Sequence, residues 1–242
     1  MSMPDLSDWL ETPLGHYLLD WERRAIDRTV ADIFGYNAVQ IGLPDVDLLQ
    51  ANRMPFRFNC SRDGGAAVRA QAFELPFATA SIDLVLLPHV LEFSSDPHGV
   101  LREVERVLVP EGSVVLSGLN PLSLWGVRKA LARAEGAFPW RGHYRSSMRI
   151  KDWMKLLGLE VVGLESGCHL PAVGTDAWLQ RWSFMDRAGP RWWPVLGAAY
   201  VMHGVKRVQG MRLIMPQWRE RKASAKRLST VAQRNGETRK TQ

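Results

Sequence analysis

Cysteine is nearly absent: Cys60 and Cys168 are the only two in 242 residues, and they do not stand at metal-ligand spacing. This argues against a disulfide framework or a zinc ribbon and fits a reducing compartment. Long apolar runs are missing as well. The most lipid-like stretch, Trp192 to Val205, falls short of the ~20 residues a bilayer requires and contains Pro194 and His203, so no membrane helix is expected. The opening MSMPDLSDW has neither the basic nor the apolar region of a secretory leader, and a cytoplasmic location is the expectation. Acidic residues are outnumbered, giving a net charge of +6, but the imbalance is local. Residues 217–242 hold eight Lys/Arg against two acids, whereas residues 1–216 balance at 23 of each sign. The excess is therefore a polar, aromatic-poor tail, expected to be disordered, and nucleic acid is not the expected partner.

What is present is enough for one core: 46% of residues are hydrophobic. The run Ile82 to Leu87 is short, branched-rich and bounded by turn residues, the pattern of a strand buried on both faces of a parallel sheet. Val100, Leu101, Val104, Val107 and Leu108 then recur at helical spacing. Asp96 serves as the cap, Pro97 sits in the first turn, and Pro110 and Gly112 act as the stop. Ser113 to Leu116 is the next buried strand. A strand, helix, strand unit of an open parallel α/β sheet follows, and in such sheets ligands lie beyond the carboxyl ends of the strands. Here those ends are Pro88-His89 and Asn120-Pro121.

The segment LPFATASIDLVLLPHVLE followed by LREVERVLVPEG resembles the second half of a class I S-adenosylmethionine-dependent methyltransferase of the small-molecule, type 11, group. Leu75-Pro76-Phe77, Asp83, Arg106-Val107-Leu108 and Pro110 stand where that family has them. Glu111 replaces a glycine of the family turn and is expected to be tolerated on an exposed loop. The resemblance implies a Rossmann-like methyltransferase fold, a doubly wound, mostly parallel seven-stranded sheet of order 3-2-1-4-5-7-6. It also implies S-adenosylmethionine as cofactor and a small-molecule methyl acceptor.

Carried over position by position, the same resemblance points to a cofactor site built from amides. Asn37 to Gly42 takes the place of the first glycine motif, with Gln40 where the family has an acid and Gly42 as the one surviving glycine. Asn59 stands for the ribose-binding acid and Gln71 for the adenine-binding acid, with Ala72 and Phe73 beside the ring and Pro88 at the strand end. An amide oxygen still accepts and its nitrogen still donates, so geometry can persist while charge-assisted strength is lost. His89 is the candidate for proton transfer, with Glu92 to orient it; the alternative is that His89 caps backbone groups.

The flanks supply candidates for the substrate cleft. A helical stripe from Ser7 to Phe34, broken at Pro13-Leu14-Gly15, would cover the cleft and place Tyr17 against it. Asn120 lies at a strand end. Arg145 has the fork to read a substrate carboxylate, a surface ion pair being the plainer role. Leu124, Val127 and Leu131 share one helical face, toward core or substrate. A helix from Thr175 to Ala188, ended by Gly189-Pro190, groups Trp178, Trp182, Trp192 and Trp193 into a lid, a partner surface or plain packing. The expected organisation is N-terminal helices at 1–34, a methyltransferase-like domain at 35–216 with insertions at 121–148 and 170–195, and the tail. Two functions stay open: methyl transfer to a small molecule, or a catalytically silent methyltransferase-like binding or regulatory protein.

Overall fold

The apolar run at residues 82–87 is the central strand of the sheet. This computed structural model describes residues 8–62, 65–132, 140, 142–172, 179, 181–182 and 184–208; the basic tail and Trp178 lie outside them. Strand β4 (Ile82–Pro88) lies between β1 (Asn37–Ile41) and β5 (Leu108–Leu119), parallel to both. Outward from β1 come β2 (Phe56–Ser61) and the short β3 (Val68–Arg69). Outward from β5 come β7 (Ala199–Lys206) and β6 (Leu159–Gly167), an antiparallel edge. The order β3-β2-β1-β4-β5-β7-β6 is the one expected.

Alternation along β4 assigns the two faces. Leu84 and Leu86 pack with Ala25, Ile26 and Val30 of α1 (Pro13–Val30). Val85 and Leu87 pack with Val100, Leu101 and Val104 of α3 (Pro97–Val107) and with Ile150 and Met154 of α5 (Ser147–Leu156). Each such side chain contributes roughly 1.5–3 kcal/mol of burial, which is why the strand carries no polar residue there except Asp83. Between β4 and α3 lies a one-turn helix, α2 (Val90–Phe93).

The family words have mechanical meanings. Asp83 Oδ2 accepts from the backbone N–H groups of Tyr36 and Asn37 at 3.0 and 2.9 Å, clamping the start of β1 to β4. The Arg106 fork donates to the carbonyls of Leu75 and Phe77 at 3.1 and 2.9 Å and pairs with Glu103, which in turn accepts from Leu75 N–H. This ties the Leu75-Pro76-Phe77 loop to the last turn of α3. Asp96 caps α3 as expected, accepting from Gly99 N–H at 2.8 Å.

Several boundaries differ from expectation. The break in the N-terminal helical stretch falls at residues 11–12, just before the expected Pro13-Leu14-Gly15: residues 8–10 are helical and Pro13 opens α1, with Thr12 Oγ1 accepting from Gly15 N–H. Pro110 and Gly112 do not separate helix from strand: β5 runs through them, with its register against β4 shifting there. Glu111, exposed as expected, nevertheless takes φ 62°, the left-handed value that explains the family's glycine. In α4 (Leu124–Ala132), the face of Leu124, Val127 and Leu131 is exposed, and Trp125 is the buried anchor, its Nε1–H donating to Leu170 O at 2.8 Å. Helix α6 (Phe184–Trp192) continues past Gly189-Pro190. Gly189 is there for contact, since a Cβ would lie 2.3 Å from the His169 ring. Trp192 and Trp193 are exposed at its end.

Replacing Asp83 by alanine strands two backbone donors and should cost about 1.5–3 kcal/mol in urea unfolding. A loss below ~0.5 kcal/mol, the level of an ordinary surface change, would contradict the clamp.

Candidate functional site

β1 and β4 are neighbours whose chains leave toward opposite sides of the sheet, and a crevice opens at their carboxyl ends. It holds about 400 Å³. Ile41 and Gly42 come from the end of β1, Ser61 and Arg62 from the end of β2, and Gln71, Ala72 and Phe73 form one wall. The opposite wall is Val90, Glu92, Phe93, Ser94 and Ser95, and His143 closes a corner. Both strand ends turn sharply to make this space. Gly42, Leu43 and His89 have φ of 86°, 46° and 54°, and for a side-chain-bearing residue that conformation costs roughly 1–2 kcal/mol.

Of the amides in the family's acid positions, two are used inside the protein. Gln40 Nε2 lies 3.2, 2.9 and 2.7 Å from the carbonyls of Gly42, Leu43 and Val46, while its Oε1 accepts from Leu48 N–H at 2.9 Å. A carboxylate could accept from Leu48 but could not donate to those carbonyls. Asn59 likewise donates to Pro44 O at 3.2 Å and accepts from Ala67 N–H at 2.8 Å. Neither residue lines the crevice, whereas Gly42, Gln71, Ala72 and Phe73 do. The amides thus hold the proline-containing loop after β1 in its rebuilt path.

His89 is fully buried at the end of β4, and the reason is a pair of acids. Its Nε2 is 2.8 Å from Glu22 Oε1, on α1, and its Nδ1 is 3.5 Å from Glu92 Oε1, on α2. Burial opposes the charged ring, but the two carboxylates outweigh it and raise its pKa to about 10. Glu92 Oε1 also accepts from Leu119 N–H. Gly118 admits this contact, because a Cβ there would sit 2.6 Å from Tyr200 Oη and 3.1 Å from Glu92 Oε1. The other oxygens, Oε2 of Glu22 and of Glu92, have no hydrogen-bond partner among the described residues. His89 therefore joins a helix to a strand end instead of lining the crevice, and Glu92 is the cluster member that reaches it.

The remaining candidates divide. Pro88 is buried in β4 and does not line the crevice. Tyr17 donates to Asp186 at 2.7 Å, fastening α1 to α6, and burial drives its phenol pKa upward. Asn120 donates to the carbonyls of Val195 and Gly197 at 2.7 and 3.1 Å. Arg145 donates from Nε to Leu91 O at 3.3 Å and lines a second recess beside the first. The expectations missed Glu22, Arg62, Ser94, Ser95 and His143. For Glu22 a signal existed: Leu14, Leu18, Glu22 and Ile26 are spaced by four, so the acid interrupts a buried stripe.

The comparisons agree with this topology. The family described as "Methyltransferase domain" matches residues 36–116. The uncharacterized protein YafS of Escherichia coli (strain K12) is 31% identical over 182 residues, 69% of this chain and 76% of the relative. A malonyl-[acyl-carrier protein] O-methyltransferase of Laribacter hongkongensis is 27% identical over 128 residues, 47% of this chain and 43% of its own. Among solved structures, the complex between the Haloferax volcanii Trm112 methyltransferase activator and the putative methyltransferase aligns at TM-score 0.58 and 16% identity. That match covers 85% of this chain and 97% of the other.

Two stability measurements test the buried chemistry. His89 has a folded pKa above its unfolded ~6.5, so its stabilisation is complete below pH ~6.5 and lost as pH rises through about 10. His89→Gln should lose about 3–5 kcal/mol at pH 6.5 and show a flatter decline toward pH 10 than the parent; parallel curves would contradict the cluster. Gln40→Glu, which sets a carboxylate against three carbonyls, should cost at least ~2 kcal/mol in urea unfolding at pH 8, and a neutral effect would refute the loop-holding role.

Proposed function

Because this chain belongs to the class I S-adenosylmethionine-dependent methyltransferase family, we propose that it transfers a methyl group from S-adenosylmethionine to a small-molecule acceptor. The observation that carries the reading is a nucleoside-sized crevice at the sheet's crossover with a buried carboxylate oxygen, Glu92 Oε2, lacking a hydrogen-bond partner among the described residues. A cationic ligand is the natural complement of such an acid.

The residues fit the cofactor. Gly42 lets the backbone approach closely, Ala72 and Phe73 offer an apolar wall to a base, and Gln71 brings a donor and an acceptor to that wall. Ser61 and Arg62 stand where a ribose would lie. S-adenosylmethionine, when bound, supplies an electrophilic methyl carbon. The chain supplies position: Glu92 provides negative charge beside the crevice, and α1, pinned through Glu22 and His89, keeps that acid at the end of β4. His89 is a positioning residue in this scheme, since its ring is enclosed on both nitrogens. The silent-scaffold reading requires Pro44 or Phe73 to fill the space. Phe73 instead forms part of the wall, 37% exposed, and Pro44 does not line the crevice.

Isothermal titration of the full chain with S-adenosylhomocysteine and S-adenosylmethionine tests the proposal. Both should bind with a Kd below ~1 mM, and Ala72→Trp, which narrows the crevice from a partly exposed wall, should weaken them at least ~tenfold without lowering the Tm. Parent protein that responds to neither ligand at millimolar concentration would overturn it.

A further inference from the structure

A second recess, of about 690 Å³, opens beside the crevice and shares Ser94, Ser95 and His143 with it. Its remaining wall brings together Lys129 from α4, Arg145 just before α5, and Arg149 from the first turn of α5. Among the described residues, no aspartate or glutamate is part of its lining. Such a concentration of one sign is unusual in a region, residues 1–216, where acids and bases are equal in number.

The three cations are held in different ways. Lys129 Nζ donates to Gly142 O and sits 4.3 Å from the centre of the Tyr144 ring, which anchors it at the wall. Arg145 uses Nε on Leu91 O, and its guanidinium lies 5.3 Å from the centre of the Trp153 ring. Its two terminal nitrogens have no hydrogen-bond partner among the described residues, which leaves the fork's bidentate edge for a ligand. The exposed Arg149 has no acidic partner among the described residues. The N-terminus of α5, capped by Ser146, adds its partial positive charge to the same side.

We infer that this recess is the acceptor subsite and that it takes a small oxyanion, a carboxylate- or phosphate-bearing compound, with Arg145 and Arg149 as its specificity determinants. The inference deepens the methyl-transfer reading and rests on it for the word acceptor, while the anion site stands on its own geometry. Ser94, Ser95 and His143 form the boundary across which an acceptor would meet the cofactor. An ammonium-bearing acceptor would face these three cations, while Glu92, whose charge acts on Lys129, lines the neighbouring crevice instead, so the lining discriminates against positively charged acceptors.

The test uses the full chain, saturated with S-adenosylhomocysteine, titrated by NMR with succinate, inorganic phosphate and neutral succinamide. Succinate or phosphate, or both, should give saturable shifts of the arginine side-chain signals with Kd near ~1–10 mM, and succinamide none. The stronger of the two anions identifies the acceptor as carboxylate- or phosphate-bearing. Arg149→Gln, an exposed change, should weaken anion binding ~threefold or more and Arg145→Gln with Arg149→Gln at least ~tenfold, with S-adenosylhomocysteine affinity within ~twofold of the parent. No saturable response to either anion, an equal response to succinamide, or an unchanged affinity in the double variant would each overturn the proposal. Anion binding that persists in a protein unable to bind S-adenosylhomocysteine would keep the recess and count against the cofactor reading.

Discussion

Two carboxylates and one imidazole, enclosed where the central strand ends, are the interaction on which the site depends. Taking ions out of water costs several kcal/mol apiece, and only close pairing offsets it. Glu22, His89 and Glu92 achieve that pairing from three separate elements, so the cluster forms only when α1 lies across the sheet and α2 follows β4. The left-handed turn at His89 is part of the same arrangement, pointing the chain back so that Glu92 reaches both the imidazole and Leu119 N–H. The cluster thereby couples the covering helix to the acid that faces the crevice. A purely apolar contact between α1 and β4 would hold the helix as well, but would fix no charge there.

The sheet was legible in the sequence because its signals are local and redundant. Branched runs mark β1, β4 and β5, and the words around Leu75, Asp83 and Arg106 correspond to a clamp and a fork that lock neighbouring elements together. Helix ends were less legible where one residue type serves two purposes. Gly189 reads as a terminator, yet it is small to admit the His169 ring, and α6 passes through it. Leu124, Val127 and Leu131 have helical spacing, but spacing does not say which side of α4 meets the core. Trp125, one residue off that stripe, does so instead.

The candidate site was legible as a place more than as a set of atoms. Gly42, Gln71, Ala72 and Phe73 line the crevice, whereas Gln40 and Asn59 turn to the loop around Pro44. A family acid replaced by an amide suggests a weakened ligand contact when positions are compared one at a time. In three dimensions the amide answers a different demand, since the loop's carbonyls point inward and need a donor. Gln40 and the loop around Pro44 form one arrangement, a proline-containing turn stitched from beneath by an amide. His89 attracted attention as a histidine at a strand end with Glu92 three residues on, and its second acidic partner could not be seen from its neighbours because Glu22 is 67 positions earlier.

The charge state of the His89 ring bears most directly on the account. Nitrogen-15 NMR of the imidazole, in the full chain at pH 8, distinguishes a ring protonated on both nitrogens from a neutral tautomer. The buried cluster predicts a doubly protonated ring at that pH, with the charge lost only as pH approaches about 10. A neutral ring at pH 8, titrating near the ordinary ~6.5 of a histidine, would contradict it.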